Sequence, residues 1–547
     1  MLIFFLLICL GVFPVCGQEP APQRVGVGLV EHKLTIKEAI EMALVNNLDI
    51  EIERTNRSSA QTALRGTRGF YDPNFRWVPG LELRNMPTAS VLIAPSGKLT
   101  EHLHTEQLSY RQLLPWAGQQ LAGGFDNSRQ STNNPFSSLS PFVTSRLFFS
   151  FSQPLVRNRV IDPQRAEIRI RQKQVSLSET ELETKVIGVV VRVQQAYWSL
   201  AAARKDTDVR ADFVKWGREQ LARNQRMIAA GTLAPVELSA SEAELQRRLD
   251  MYYSSLDTIT EVENILKALL TPNREASLWS EQIIPVEDKT LSPPEVVDLR
   301  ETVTSALKAR PELRALSSQE QINQIQKQQA ADQVKPQLNL VLSYVANGLG
   351  GTAQTGPNPI SASNAALYDR VNQLSGYVGL DPLSAPSYGG APPTMVGGLG
   401  TSLENLFLGR YQSFQAGLAL DLNIRNNAAQ ANLAQTVIAE RKLKLQQAQL
   451  EQLIEIEVRN ALQAVQTARQ RIAATEASAR AAKEKLDSEI RLFQTGESTN
   501  FMVLTRQSEY ADSRHRAVVA NLDLNRAVVR LQQAVGSTLQ GHGITVR

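Results

Sequence analysis

Ile36-Lys37-Glu38-Ala39-Ile40 returns as Leu299-Arg300-Glu301-Thr302-Val303, about 263 residues further along the chain. At that offset Ala43-Leu44 falls on Ala306-Leu307, Asp49-Ile50 on Glu312-Leu313, and Pro73 on Pro336. Further on, an offset of about 265 sets Val193 on Val458, Gly231 on Gly496 and Glu244 on Glu509. Two copies must build the same elements in the same order, so the repeat constrains architecture before any local reading.

Each copy opens with a short helix, about 36–47 and 299–309, leading into a second, about 49–70 and 312–334. The second stops before Asp72-Pro73 in one copy and Pro336 in the other, because proline disfavours helix in the residue before it. A strand region follows, about 74–157 and 336–425, then a very long helix, about 163–230 and 428–495. Asp162-Pro163 supplies an N-cap and a first-turn proline, while Gly231 and Gly496 break the far ends. Return helices run about 235–270 and 501–535. The first repeat therefore covers 34–297 and the second 298–536, between an N-terminal tail at 18–33 and a C-terminal one at 537–547. At about 1.5 Å per residue the long helices extend for roughly 100 Å, too far for a compact globule. A return helix of about 55 Å and a short helix of roughly 33 Å, stacked, nearly match that length.

Along the second long helix Val458, Val465, Ile472, Ala479, Leu486 and Phe493 recur every seventh residue, with Ala461, Ala468 and Ala482 three further on. The first copy gives Val193, Leu200, Val214, Leu221 and Ile228 in the same register, broken by Thr207. A seven-residue period with alanine in the second seam position implies close, left-handed coiled-coil packing. An ordinary bundle core would show the same period.

Three segments alternate as strands do. Phe414, Ala416, Leu418, Leu420, Leu422 and Ile424 oppose Gln415, Gly417, Ala419, Asp421 and Asn423. Leu147, Phe149, Phe151 and Leu155 oppose Ser150 and Ser152, and Phe75, Trp77, Leu81 and Leu83 oppose Arg76, Gly80, Glu82 and Arg84. Each is about 9–11 residues, the length a tilted strand needs to cross hydrocarbon. A fourth, about 337–345, is apolar on both faces. A soluble sandwich alternates likewise; the tall helices turn the reading toward a membrane. Four strands cannot close a barrel, since small barrels need about eight, so several chains must contribute. The Gly-, Pro-, Ser- and Asn-rich stretch 347–402 reads as a long surface loop. Within 86–145 an extra hairpin fits around Tyr110 to Gly124, without an assigned place.

Leu2 to Val15 is apolar except at Cys9, Gly11 and Pro14, and is shorter than the roughly 20 residues of a spanning anchor. Val15 and Gly17 suit cleavage before Gln18, which makes 1–17 a signal peptide; lipidation of Cys16 is the alternative. Cleavage removes both cysteines, and with them disulfides, Cys-ligated zinc and thiol catalysis. No later run of about 18 apolar residues occurs, so a membrane would be crossed by strands. A formal charge of +4 over 547 residues carries no nucleic-acid footprint.

Catalytic chemistry is not apparent, and no cofactor or metal is expected. His102 and His104 could share a strand face but lack a third ligand nearby. Gly348-Leu349-Gly350-Gly351 lacks the Gly-Lys-Ser/Thr ending of a phosphate loop. Glu455 and Glu457 suit a solvated helix face.

The signal, the twofold repeat and the order helix, strands, long helix, glycine turn, return helix resemble the TolC-like outer membrane factor family. So do Leu34-Thr35-Ile36-Lys37-Glu38-Ala39-Ile40 with Asn46-Asn47, and Phe151-Ser152-Gln153-Pro154-Leu155 ahead of the long helix. The resemblance covers nearly the whole mature chain. It implies a mainly helical trimer whose chains share one outer-membrane β-barrel, continued into the periplasm as an α-helical tunnel. It further implies a passive exit duct for efflux or type I secretion that docks a periplasmic adaptor and an inner-membrane pump. The docking tips correspond to Gly231-Thr232-Leu233-Ala234-Pro235 and Gly496-Glu497-Ser498-Thr499-Asn500, with Gly231, Thr232, Gly496 and Ser498 as the contact turns. Family entrances carry acidic rings and a tyrosine–arginine latch. Here Glu237 keeps an acid, Met502 and Thr505 stand where aspartates would, and Phe493 and Ser498 take the latch positions. Pore-constriction candidates are thus Glu237, Phe493, Glu497, Phe501, Met502 and Thr505, with Phe493, Phe501 or Met502 as a hydrophobic gate. A periplasmic coiled-coil adaptor or scaffold is the alternative reading.

Overall fold

The structure, a computed structural model, describes residues 24–28, 30–90, 92–94, 96–287, 298–354, 359–384 and 390–545. The expected signal peptide, with Cys9 and Cys16, lies outside them. In chain order the elements begin with β1 (Glu31–Leu34), α1 (Ile36–Asn46) and α2 (Leu48–Arg68). Four strands follow, β2 (Asn74–Pro87), β3 (Lys98–Leu113), β4 (Gln120–Thr132) and β5 (Leu139–Pro154). Then come α3 (Pro163–Ala229), α4 (Val236–Leu270) and β6 (Gln282–Pro285). The second copy has α5 (Leu299–Ala309), α6 (Pro311–Val334), β7 (Gln337–Ala353), α7 (Pro359–Val378), α8 (Leu399–Phe407) and β8 (Tyr411–Asp421). It ends with α9 (Asn427–Thr495), α10 (Asn500–Val535) and a single turn, α11 (Thr538–Gly541).

The ends of these helices follow from their capping chemistry. The Thr35 hydroxyl takes the Glu38 N–H while the Glu38 carboxylate takes the Thr35 N–H, a reciprocal box that starts α1. Asp162 accepts the Arg165 N–H at 2.7 Å and opens α3. Asn46 and Asn47 donate to the Leu270 and Leu269 carbonyls at 3.1 and 3.0 Å, satisfying the open end of α4. α3 and α9 hold 67 and 69 residues, so each extends for about 100 Å.

Two compact units divide the chain, and they cut across the repeats. One takes its residues from 1–58, 177–317 and 444–547; the other from 59–176 and 318–443. In the first, a core of α1, β1, α3, α4 and β6 closes around Val186, Val189, Val190, Val193, Tyr197 and Leu200. This stretch of α3 is apolar enough in length and composition to span a membrane, yet its apolar residues are buried in that core. A second cluster packs Ile454, Val458, Ala461, Val465 and Ala468 of α9 on Leu524, Val528 and Leu531 of α10 and Ala306 of α5. Val458, Ala461, Val465 and Ala468 belong to the expected seven-residue seam. β1 and β6 form a small parallel pair, which the sequence reading did not assign as strands.

The other unit holds a six-stranded sheet in the order β2-β3-β4-β5-β7-β8, every pair antiparallel. Two expectations change here. The strand count is six rather than four, because the hairpin at 86–145 is the β3–β4 pair, seated between β2 and β5. The stretch 347–402 is not one loop, since β7 continues to Ala353 and the segment then builds α7 and α8.

Cross-strand pairing assigns the two faces of the sheet. Trp77 pairs with Leu108, Leu108 with Phe125, Phe125 with Leu147, Leu147 with Ala346. Phe75, Tyr110, Phe149, Tyr344 and Phe414 also fall on this apolar face, as do Leu340 and Leu418. The opposite face carries Arg76, Ser109, Gln107, Asp126, Arg146, Ser150, Ser343 and Gln415.

Candidate functional site

The helix-hairpin tips lie in the first unit. After α3, Gly231 takes φ +70° and the Thr232 N–H returns to the Met227 carbonyl at 2.9 Å. After α9, Gly496 takes φ +83° and the Glu497 N–H returns to the Leu492 carbonyl at 2.9 Å. Both are left-handed caps that close the helix with a bond five residues back. A Cβ would meet nothing within 4 Å at either glycine, so backbone conformation rather than space calls for glycine there. Thr499 then caps α10 by accepting the Met502 N–H at 3.3 Å.

Behind the tips lies a ladder of buried amides that the sequence reading missed. Asn500, 1% exposed, accepts from Gln220 at 2.9 Å and from Asn224 at 3.0 Å, and donates to Glu237 at 3.0 Å and Ser241 at 3.2 Å. Asn224 also donates to Ser241 at 2.6 Å. The ladder ties α3, α4 and α10 together with hydrogen bonds where a coiled coil would place apolar side chains. One signal was available: Asn224 stands three residues after Leu221, in the second seam position of the seven-residue register.

The remaining candidates divide by exposure. Glu237 faces the ladder through Asn500. Ser498 donates to Glu489, whose other oxygen lies 3.6 Å from Arg506. Thr505 donates back to the Phe501 carbonyl at 2.8 Å. Phe493 is 8% exposed and packed among the helices, whereas Phe501 is 69% exposed. Met502 is half-buried, and Glu497, Gly231, Thr232 and Gly496 are exposed.

Further along the same helices Phe213, Trp216 and Tyr510 stack with centroids 5.0–6.0 Å apart. Arg248, buried, bridges Glu244 at 2.9 Å, Gln507 at 2.8 Å and the Phe213 carbonyl at 3.1 Å. Gly217 leaves the room: a Cβ there would stand 3.3 Å from Arg248 Cδ. A pocket of about 130 Å³ opens beside this group, with His515 and Asp206 joined at 2.6 Å on its wall. The hydrogen bond to Asp206 holds the His515 imidazole above its ordinary value against the opposing effect of burial.

The apolar face of the sheet is the second candidate surface. Phe75, Trp77, Leu81, Leu83, Phe149, Phe414, Leu418 and Leu420 are all exposed on it, and nothing among the described residues covers them. Soluble proteins rarely present so broad an apolar patch. β2 and β8 also end the sheet, with their outer edges unpaired among the described residues.

Residues 387–537 match the family described as Outer membrane efflux protein. Solved structures share the architecture over nearly the whole length. Campylobacter jejuni CmeC, an outer membrane channel, is 14% identical with a TM-score of 0.61, over 92% of this chain and 86% of that one. The outer membrane protein VceC of Vibrio cholerae is 14% identical with a TM-score of 0.60, over 92% and 96%. The chain has the outer-membrane efflux channel fold. The open state of the Neisseria gonorrhoeae MtrE outer membrane channel is 13% identical with a TM-score of 0.59, over 92% of this chain and 89% of that one. A sequence search of curated proteins finds no match. The mainly helical class, with repeats of long helices joined to strands, agrees with the sequence expectation.

Proposed function

We propose that the chain is one subunit of a trimeric outer-membrane duct, a passive conduit in an efflux or type I secretion assembly. The observation that carries this reading is an open sheet, apolar on one face and polar on the other, with two unpaired edges. Six strands, each antiparallel to the next, leave β2 and β8 running in opposite directions. β8 of one copy therefore lies antiparallel to β2 of the next, and any number of copies can close a barrel with the polar face inward. The trimer suggested by the resemblance gives eighteen strands, an even number within the range of outer-membrane barrels. The apolar face then meets lipid and removes the exposed patch, which a soluble scaffold would leave in water.

The helix tips at Gly231–Pro235 and Gly496–Asn500 are the proposed contacts for a periplasmic adaptor and, through it, an inner-membrane pump. Gating falls to Phe501 and Met502, because Phe493 is committed to packing within the subunit. Glu237, held by Asn500, and the exposed Glu497 would set charge near that mouth. No chemical step is assigned to the protein. Cargo passes by steric and electrostatic selection.

Purified protein added to a planar bilayer tests this reading. Discrete single-channel steps are expected, and Met502→Asp raises the cation-over-anion permeability ratio. A water-soluble monomer giving no currents would overturn the reading, and unchanged selectivity in Met502→Asp would remove the gate from that position.

A further inference from the structure

Arg76 and Arg111 stand together on the polar face of the sheet, at the end where α2, α3, α6 and α9 join it in sequence. Arg76 pairs across strands with Ser109, and Arg111 with Asn74. The two arginines are therefore diagonal neighbours, with α-carbons about 7–8 Å apart. Both are exposed, and among the described residues neither side chain makes an ion pair or a hydrogen bond. Arg84, further along the same face of β2, shows the contrast: Glu82 lies 2.9 Å and Glu101 3.7 Å from it.

The surroundings of the pair leave room for a ligand. A cavity of about 500 Å³ is lined by Arg76, Arg111, Phe148 and, from the single turn after α2, Phe70 and Asp72. Ser109 and Ala122 keep its floor low. Gly124 lets the Phe148 ring lie across β4, since a Cβ there would stand 2.6 Å from Phe148 Cε1. Arg146 sits over that ring at 5.4 Å and has Asp126 opposite it across the strands. Asp72, the only carboxylate lining the cavity among the described residues, lies back toward Gly69, with Oδ2 3.3 Å from the place of a Gly69 Cβ. The cavity thus holds two guanidinium groups against one carboxylate that pairs with neither.

Like charges on neighbouring strands repel, so the pair is held at a cost that a bound anion removes. Two guanidinium forks present parallel N–H donors, which fit carboxylate or phosphate oxygens. We propose that Arg76 and Arg111 form an anion-binding site in the wall of the conduit, favouring cargo that carries carboxylate or phosphate groups. The inference rests on the polar face of the sheet lining the bore, and adds a charge class to what the bore passes. Every subunit repeats the pair, so a closed assembly sets a ring of them at one level, where low-dielectric walls focus their field.

Full-length protein in a planar bilayer tests it, with reversal potentials read under a potassium chloride gradient at low ionic strength. Arg76→Gln/Arg111→Gln should lower the chloride-over-potassium permeability ratio at least about twofold. Inorganic pyrophosphate should block the unsubstituted channel and spare that double variant. Arg76→Lys/Arg111→Lys keeps both charges and should keep the chloride preference, while pyrophosphate block weakens because an ammonium lacks the fork. Unsubstituted channels that pyrophosphate does not block would overturn the site, as would a glutamine variant with native permeability ratio. No channel steps from unsubstituted protein would instead overturn the conduit itself.

Discussion

Asn500 shows how a single side chain can decide the state of a tip. Its amide satisfies two donors from α3 and reaches two acceptors on α4, while its backbone starts α10. Asn500→Ala would leave the Gln220 and Asn224 amides with fewer partners in a site without water access. The cost is on the order of 1–3 kcal/mol. We expect faster amide hydrogen exchange at 220–241 in Asn500→Ala, with exchange around Val189 unchanged. Equal exchange at the tip would show that the ladder does not hold it. The tip residues Glu237 and Thr505 could be marked from the sequence only through the family resemblance. Their partners could not, since Asn500 meets Asn224 only after three helices are packed.

The helices were legible because their ends are written in capping chemistry. Asp162-Pro163, Gly231 and Gly496 each name a boundary, and α5 runs over 299–309 as expected. β3 and β4 were legible only as a hairpin around Tyr110 to Gly124 without a place in the sheet, for a physical reason. On β3, His102, His104 and Glu106 alternate with Leu103, Thr105 and Gln107; on β4, Gly123 and Gly124 precede Asp126-Asn127-Ser128. Neither face is apolar enough to mark a strand, and pairing supplies the order instead. Gly124 serves that pairing, since a Cβ would stand 2.7 Å from the Leu108 carbonyl oxygen. α7 was hidden by its Gly- and Pro-rich surroundings, though Leu367, Val371, Leu374 and Val378 recur at helical spacing in the sequence. The seat of α8 against β7 is tested at this scale. Gly348→Val places side-chain atoms where the Ser402 backbone lies, so α8 must lift from the sheet. Limited proteolysis should then cut within 390–410 several-fold faster, while Gly376→Ala, which meets no neighbour and has no positive φ, should leave cleavage there near the native rate.

For the whole molecule, the account stands on edges that one chain cannot satisfy. β2 with 14 residues and β8 with 11 end the sheet with unpaired backbone groups, and burying such groups in lipid costs several kcal/mol each. Closure by neighbouring copies removes both edges in one step. The expectation of more than one chain came from membrane-length strands too few to close a barrel, not from the repeat. It did not give the strand number, since the hairpin that changes it lacks alternation. Electron cryomicroscopy of the detergent-purified protein, viewed down its axis, tests the closure most directly. The account predicts three copies around a single bore, with β8 of each beside β2 of the next and eighteen strands in the wall. A monomer with both edges open, or a wall from which β3 and β4 are excluded, would contradict it.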